Sequence, residues 1–197
     1  MGCDITAGRI EQCKDSVSGL KAMYLINYDD LNSDSTYVTY GAGDNIDEII
    51  DWAPIDDTAQ LNIYKFELKS TTNSFTTAIN SSRDNGTTFF EQTLVAALKR
   101  QDVVTHKNVK LLAYGRPRIV IRTMTDQFFL MGLDQGADVS AGEISSGAAL
   151  GDFNGYSLTF MAQEELPANF LLASSEAALA TLFATSAGDA VINDGTV

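Results

Sequence analysis

Along much of this chain apolar and polar residues alternate with a period of two, the signature of strands with one buried face. In LNIYKFELK (61–69), Tyr64, Phe66 and Leu68 point one way and Lys65, Glu67 and Lys69 the other. The next inward candidates, Phe75 and Ile79, fall on odd numbers, so a break or bulge is expected across Ser70 to Asn73. Upstream, VSGLKAMYLINY (17–28) is an apolar run with aromatics that suits a buried strand. Between them, residues 29–58 are acidic and rich in turn formers (DDLNSDS, GAGDNID, DWAPIDD), which predicts a long, mostly exposed loop.

The stretch INSSRDNGTTFFEQTL (79–94) reads as a hairpin turning at Asn85-Gly86. A two-residue turn there sets Asp84 opposite Thr87, Ser82 opposite Phe89 and Ile79 opposite Gln92. One face then carries Phe75, Thr77, Ile79, Phe90, Gln92, Leu94 and Ala96. The other carries Thr76, Ala78, Asn80, Ser82, Asp84, Thr87, Phe89, Glu91 and Thr93. A two-stranded ribbon is marginal alone in water, so this one is expected to pack on something else, a neighbouring copy included.

Further along, DVVTHKNVKLLAYG predicts a helix of about three turns stopped by Gly115 and Pro117. RIVIRTMTDQFFLMG reads as two strands joined near Thr125-Asp126, and DVSAGEISSGAALG as a strand with a glycine-rich loop. DFNGYSLTFMAQEE alternates around Tyr156, Leu158 and Phe160, a last core strand. After Pro167, SSEAALATLFATSAG predicts a short helix begun by Ser174 or Ser175 and ended near Gly188.

Composition narrows the function classes. The chain has 197 residues, 45% hydrophobic and 20% charged, values of a folded domain. Thirteen Lys and Arg against 26 Asp and Glu give a net charge of -13, which opposes binding to nucleic-acid phosphate across the whole surface. Two cysteines, Cys3 and Cys13, read as thiols or a disulfide clip, with no second pair for a zinc site. MGCDIT fits a short acylation pattern, yet no apolar run reaches the roughly 18 residues of a spanning segment, and no export signal is read.

Candidate chemistry is sparse. His106 is the lone histidine and is expected on a helix surface. GDFNG (151–155) has only the opening of a calcium loop and reads as a turn. Glu164 and Glu165 are neighbours on a strand and face opposite ways, unlike a paired acid and base. Arg116, Arg118 and Arg122 fall in one short run, candidates for an anion or subunit contact. No phosphate-binding loop, dinucleotide fingerprint, HExxH or GxSxG occurs, so an enzyme is not expected and no cofactor or metal is implied.

Three stretches together resemble bacteriophage tail tube (major tail) proteins: YKFELKSTTNSFTTAINSSRDNGTTFFEQTLVAALKR, then NVKLLAYGRP, then GEISSGAALGDFNGYSLTFMAQEELPANFL. The likeness spans Tyr64 to Leu171 and lies in element order: long hairpin, single helix, paired strands, then G-x-x-x-G-D-x-N-G-Y before a final strand. It implies a mainly β protein, a β-sandwich or partly closed barrel with one long hairpin, one short helix and a C-terminal helical extension. It divides the chain into a β domain over 1–172, with an N-terminal arm and the acidic loop at 29–58, and an extension over 173–197.

The family assembles as hexameric rings stacked into a tube, with hairpins lining the bore. The resemblance therefore implies a self-assembling virion tail protein, made in the host cytoplasm, that partners itself and other tail proteins while genomic DNA passes without specific binding. The lumen-facing set would be Thr76, Asn80, Ser82, Asp84, Thr87, Glu91 and Thr93; Phe75, Ile79, Phe90 and Leu94 would pack inward. Arg83, with Arg116, Arg118 and Arg122, would make subunit contacts. Two alternatives remain open. One is a capsid decoration or head-to-tail connector protein; the other is a carbohydrate-binding sandwich using Trp52, Tyr37 and Tyr40.

Overall fold

The computed structural model describes residues 8–10, 14, 16–42 and 47–195. Cys3, Cys13 and the MGCDIT pattern lie outside the described residues. The chain runs β1 (Leu20–Ile26), a 3-10 turn (Tyr28–Asp30), β2 (Val38–Tyr40), β3 (Glu48–Trp52), β4 (Asn62–Glu67), β5 (Ser74–Ser82), β6 (Thr87–Lys99) and α1 (Val103–Leu112). It continues through β7 (Arg118–Thr123), β8 (Phe128–Met131), β9 (Asp138–Ser145), β10 (Gly155–Glu164), β11 (Asn169–Leu171), α2 (Glu176–Leu182) and β12 (Val191–Asn193). Eight strands form one sheet in the order β12-β4-β1-β7-β8-β11-β3-β2, and four form a second in the order β5-β6-β10-β9.

The two sheets pack face to face as a β-sandwich. Met23, Leu25, Ile119, Ile121 and Met131 of the large sheet meet Leu94, Leu98, Tyr156, Leu158 and Phe160 of the small one. A second core lies on the opposite face of the large sheet, where Tyr24, Ile26, Val120, Phe128 and Leu130 pack with Trp52, Leu179 and Phe183. This is why β1 is apolar at every position but Lys21: both of its faces are covered. The parity switch between Phe66 and Phe75 marks a crossing between sheets, since residues 68–73 carry the chain from β4 to β5. Asn73 ends that crossing by accepting the Ala97 N–H on its Oδ1 at 2.8 Å, which extends the β6 ladder one step beyond β5.

Local signals placed α1 well. Asp102 caps it by accepting from the Thr105 N–H at 2.8 Å, and the Gly115 N–H closes it on the Leu111 carbonyl at 3.0 Å. The strands around Thr125-Asp126 and Tyr156 also form as expected.

Two expectations fail. Residues 29–58 are not one exposed loop, because Val38, Ile49 and Trp52 are buried and β2 and β3 finish the large sheet. Their acidic neighbours occupy the outward positions and mask the pattern. The C-terminal extension carries its expected helix, and over residues 173–195 it packs back on the large sheet. Ser175 caps α2 through the Ala178 N–H, α2 seals the second core, and β12 pairs in parallel with β4. The helix also stops at Leu182, short of Gly188, because Phe183 turns into the core against Trp52 at a centroid distance of 5.9 Å.

Candidate assembly surface

The β5–β6 hairpin forms with Phe75 opposite Leu94, Ile79 opposite Phe90 and Ser82 opposite Thr87. Its loop is therefore the four residues Arg83 to Gly86 and not a two-residue turn, with only Gly86 at positive φ (64°). The register shifts by two residues from the expected one, and a shift of two preserves every face.

The faces separate in burial only near the sandwich. Gln92, Leu94 and Ala96 are buried, Phe75 is half-buried against Phe129 (6.3 Å between centroids), and Phe90 is half-buried. Ile79 corrects the expected packing face, being 69% exposed: it pairs with Phe90 level with Glu164, the last residue of β10, where no described residue covers it. Gln92 is a polar residue within the core: its Oε1 accepts the Gly132 N–H at 3.1 Å and its Nε2 donates to the Leu166 carbonyl at 3.3 Å.

Among the described residues, no layer lies over the other face of the small sheet. On the hairpin it carries Thr76, Asn80, Ser82, Thr87, Glu91 and Thr93, with Asp84 exposed in the loop. The pairing of β10 and β9 extends that face through Ser157, Thr159 and Gln163 to Asp138 and Glu143. Phe89, Val95 and Met161 interrupt it, and Lys99, at its far end, is its sole cation among the described residues. The β10 share was missed in the sequence although its signal was there, in the polar half of the alternation YSLTFMAQ.

The arginines behave differently from one another. Arg83 is exposed in the hairpin loop. Arg116 stacks on Tyr28 with its guanidinium carbon 4.2 Å from the ring centre, and the guanidinium carbon of Arg118 lies 4.3 Å from the same centre. Arg118 is only 2% exposed and donates to three backbone carbonyls: Leu133 (2.8 Å), Tyr28 (2.6 Å) and Leu31 (2.8 Å). Arg122 pairs with Asp126 (2.7 Å) and Glu176 (3.2 Å). Arg118 and Arg122 are thus committed inside the subunit, a correction to their expected role in subunit contacts. That role had assumed outward-facing strand residues.

Other candidates resolve in the same way. Trp52 is fully buried and donates its indole N–H to the Asn32 carbonyl at 2.9 Å, so it offers no face to a sugar. Glu164, buried at the end of β10, accepts the Asp134 and Gln135 N–H groups; burial raises its pKa above the ordinary value, against those bonds. His106 lies exposed on α1 with its ring 6.1 Å from that of Tyr156. In GDFNG, Asp152 accepts from the Ala148 and Ala149 N–H groups at 2.9 and 2.7 Å, an ordinary loop closure. Among the described residues no group of three or more His, Cys, Asp or Glu is arranged to hold a metal. An open groove of about 890 Å3 lies between α1 and the ends of β1 and β4, lined by Tyr64, Phe66, Leu111, Tyr114 and Arg116 among others.

The arrangement defines a β-sandwich whose small sheet, among the described residues, keeps one face and both edge strands, β5 and β9, open. Comparison of the chain with protein-family models, with curated proteins and with solved structures found no match. No helix among the described residues is long and apolar enough to cross a membrane.

Proposed function

We propose that this chain is a tail tube subunit, which assembles into rings that stack as a conduit for phage DNA. The observation that carries the reading is the small sheet: one face buried, the other polar to acidic, and two unpaired edges offset from one another. Exposed strand edges invite pairing, and closing a sheet on itself removes them.

The offset gives the closure a geometry. Opposite β6, strand β5 spans 87–95, whereas β9, traced through β10, lies level with 93–99. Pairing β9 of one copy with β5 of the next needs a slide of about five residues, near 17 Å, over four strand spacings of about 19 Å in all. That slide tilts the strands by about 40°, inside the range of closed barrels. The strands of the sheet alternate in direction, so β9 meets the neighbouring β5 antiparallel. With six copies, the number implied by the resemblance, about 24 strands at this tilt close at a backbone diameter near 50 Å. After side chains a bore of about 40 Å is left, wide enough for duplex DNA.

The polarity of the open face suits that use. Duplex DNA carries a charge about every 1.7 Å of its axis, and a wall of lysine would hold it by releasing counterions. Here Asp138, Glu143 and Glu91 sit among hydroxyl and amide groups, so passing phosphate is repelled or ignored.

Negative-stain electron microscopy of the concentrated protein tests the proposal, with rings or tubes of regular axial repeat as the expected result. Cysteines introduced at Asn80 and Glu91 should react with a bulky maleimide in the free subunit and be shielded in tubes open only at their ends. Full labelling in assembled particles, or a protein that coats a foreign lattice and never joins itself, would overturn the assignment.

A further inference from the structure

We infer that the two ends of the small sheet are opposite halves of one contact, through which a second copy of this chain docks head to tail along the strand direction. The inference rests on the tube reading and specifies how one ring meets the next.

The ends differ in charge. Lys99, Arg100, Lys107 and Lys110 are four of the chain's 13 cations and lie within one short stretch, where Asp102 is the sole acid. All four are exposed, and among the described residues none is engaged in an ion pair. Backbone and side-chain bonds fix the base of this stretch against the β9–β10 loop: the Arg100 N–H donates to the Asn154 carbonyl at 2.7 Å, and Gln101 Nε2 to the Ser145 carbonyl at 2.8 Å. Five exposed apolar side chains belong to this stretch or to the end of β9 and the loop it is bonded to: Val103, Val104, Ile144, Leu150 and Phe153.

At the other end, about 34 Å away for the ten residues from Phe89 to Lys99, the character reverses. There a hollow of about 270 Å3 is lined by Phe89, Asp134, Gln135, Gln163, Glu164 and Glu165. Asp84, beside the exposed Arg83, and the exposed Ile79 lie on the ribbon that projects past β10, where that one cation is outnumbered by Asp84 and the acids of the hollow. An acidic end with exposed apolar side chains and a basic end with more of them, on opposite ends of one sheet, suit a heterologous contact. Such a contact repeats along an axis instead of closing as a dimer. Charge complementarity favours a second copy over any other occupant, since a chain of net charge -13 supplies abundant acidic surface to meet four exposed cations that no ion pair engages among the described residues.

Charge reversal tests the contact. Lys99→Glu with Lys107→Glu makes both ends acidic, and Asp84→Lys with Glu165→Lys makes both basic; these side chains are exposed, so the fold is expected to survive. Each variant alone should raise the critical concentration for tubes roughly tenfold or more and leave single rings, whereas a mixture of the two should restore tubes of alternating layers. High salt should lengthen wild-type assembly times and shorten those of the variants. Tubes at unchanged concentration from either variant would overturn the inference while leaving the tube reading intact. If the wild type forms no rings, the tube reading fails on its own; sedimentation then reads the contact directly. Concentration-dependent chains abolished by either variant support it, and a strictly monomeric wild type overturns it.

Discussion

Arg118 is a buried cation with three carbonyl partners and no carboxylate within ion-pair distance among the described residues. Its guanidinium lies between Tyr28 and Trp52, 4.3 and 5.5 Å from their ring centres, and ties the 3-10 turn and the segment after β8 to β7. Burial lowers its pKa, which measures the desolvation the cation endures. Arg118→Met keeps most of the volume but strips donors from the Tyr28, Leu31 and Leu133 carbonyls. Each orphaned acceptor costs about 1 to 3 kcal/mol. Removing the buried charge returns part of this sum, so the net loss should be about 3 to 5 kcal/mol. For a chain of this length that lowers the melting temperature by roughly 6 to 20 °C. Arg118→Lys, with one ammonium in place of a planar fork, should fall between. Urea unfolding followed by circular dichroism measures all three proteins at constant slope. A Met variant within about 1 kcal/mol of wild type would show that the three carbonyls are satisfied some other way, and the account of Arg118 as the clasp would be wrong.

Other positions give sharper contrasts. Gly155 opens β10 at a φ of 156°, where a Cβ would overlap the Leu98 carbonyl oxygen, so Gly155→Ala should cost more than about 2 kcal/mol in the same unfolding assay. Leu94→Asp buries a carboxylate in the inter-sheet core and should unfold the protein, whereas Ile79→Asp should change stability by less than about 0.5 kcal/mol yet impair assembly. Equal effects of these two on a thermal melt would contradict the burial difference between them. Two carboxylates should bend the stability profile in opposite directions. Burial opposes ionisation of Glu176, but hydrogen bonds from Lys65 and Tyr24 prevail and hold its pKa below the ordinary 4.5. The folded state then binds fewer protons than the unfolded one, so this contribution is present above about pH 4.5 and lost as pH falls through the folded value. Burial raises Glu164, so its share of stability declines as pH rises from about 4.5 through the folded value. Melting temperatures between pH 3 and 8 should show a flatter acid limb in Glu176→Gln and a flatter decline above pH 4.5 in Glu164→Gln.

Local chemistry was legible wherever a residue's neighbours in sequence are also its neighbours in space. The Asp102 cap and the Gly115 stop delimit α1, and the hairpin's faces survive even though its loop has four residues where two were expected. Both follow from short-range rules, since a cap acts within three residues and a two-residue slip leaves side-chain direction intact. Arg118 shows the opposite case. Nothing in GRPRIVIR distinguishes Arg118 from Arg116, because the carbonyls that bury Arg118 come from about 15 and 90 residues away.

The sequence by itself determined the strand pattern, the single early helix, the acidic balance and the amphipathic ribbon. Only the tertiary structure decided that β2, β3, α2 and β12 belong to the large sheet and its second core. Each is short, three to seven residues, and is stabilised by surface that distant strands provide. Tertiary structure alone likewise offset the open edges β5 and β9 and set an acidic end opposite a basic one. Strand register across a sheet is fixed by which faces are buried together, and no local window of residues contains that information.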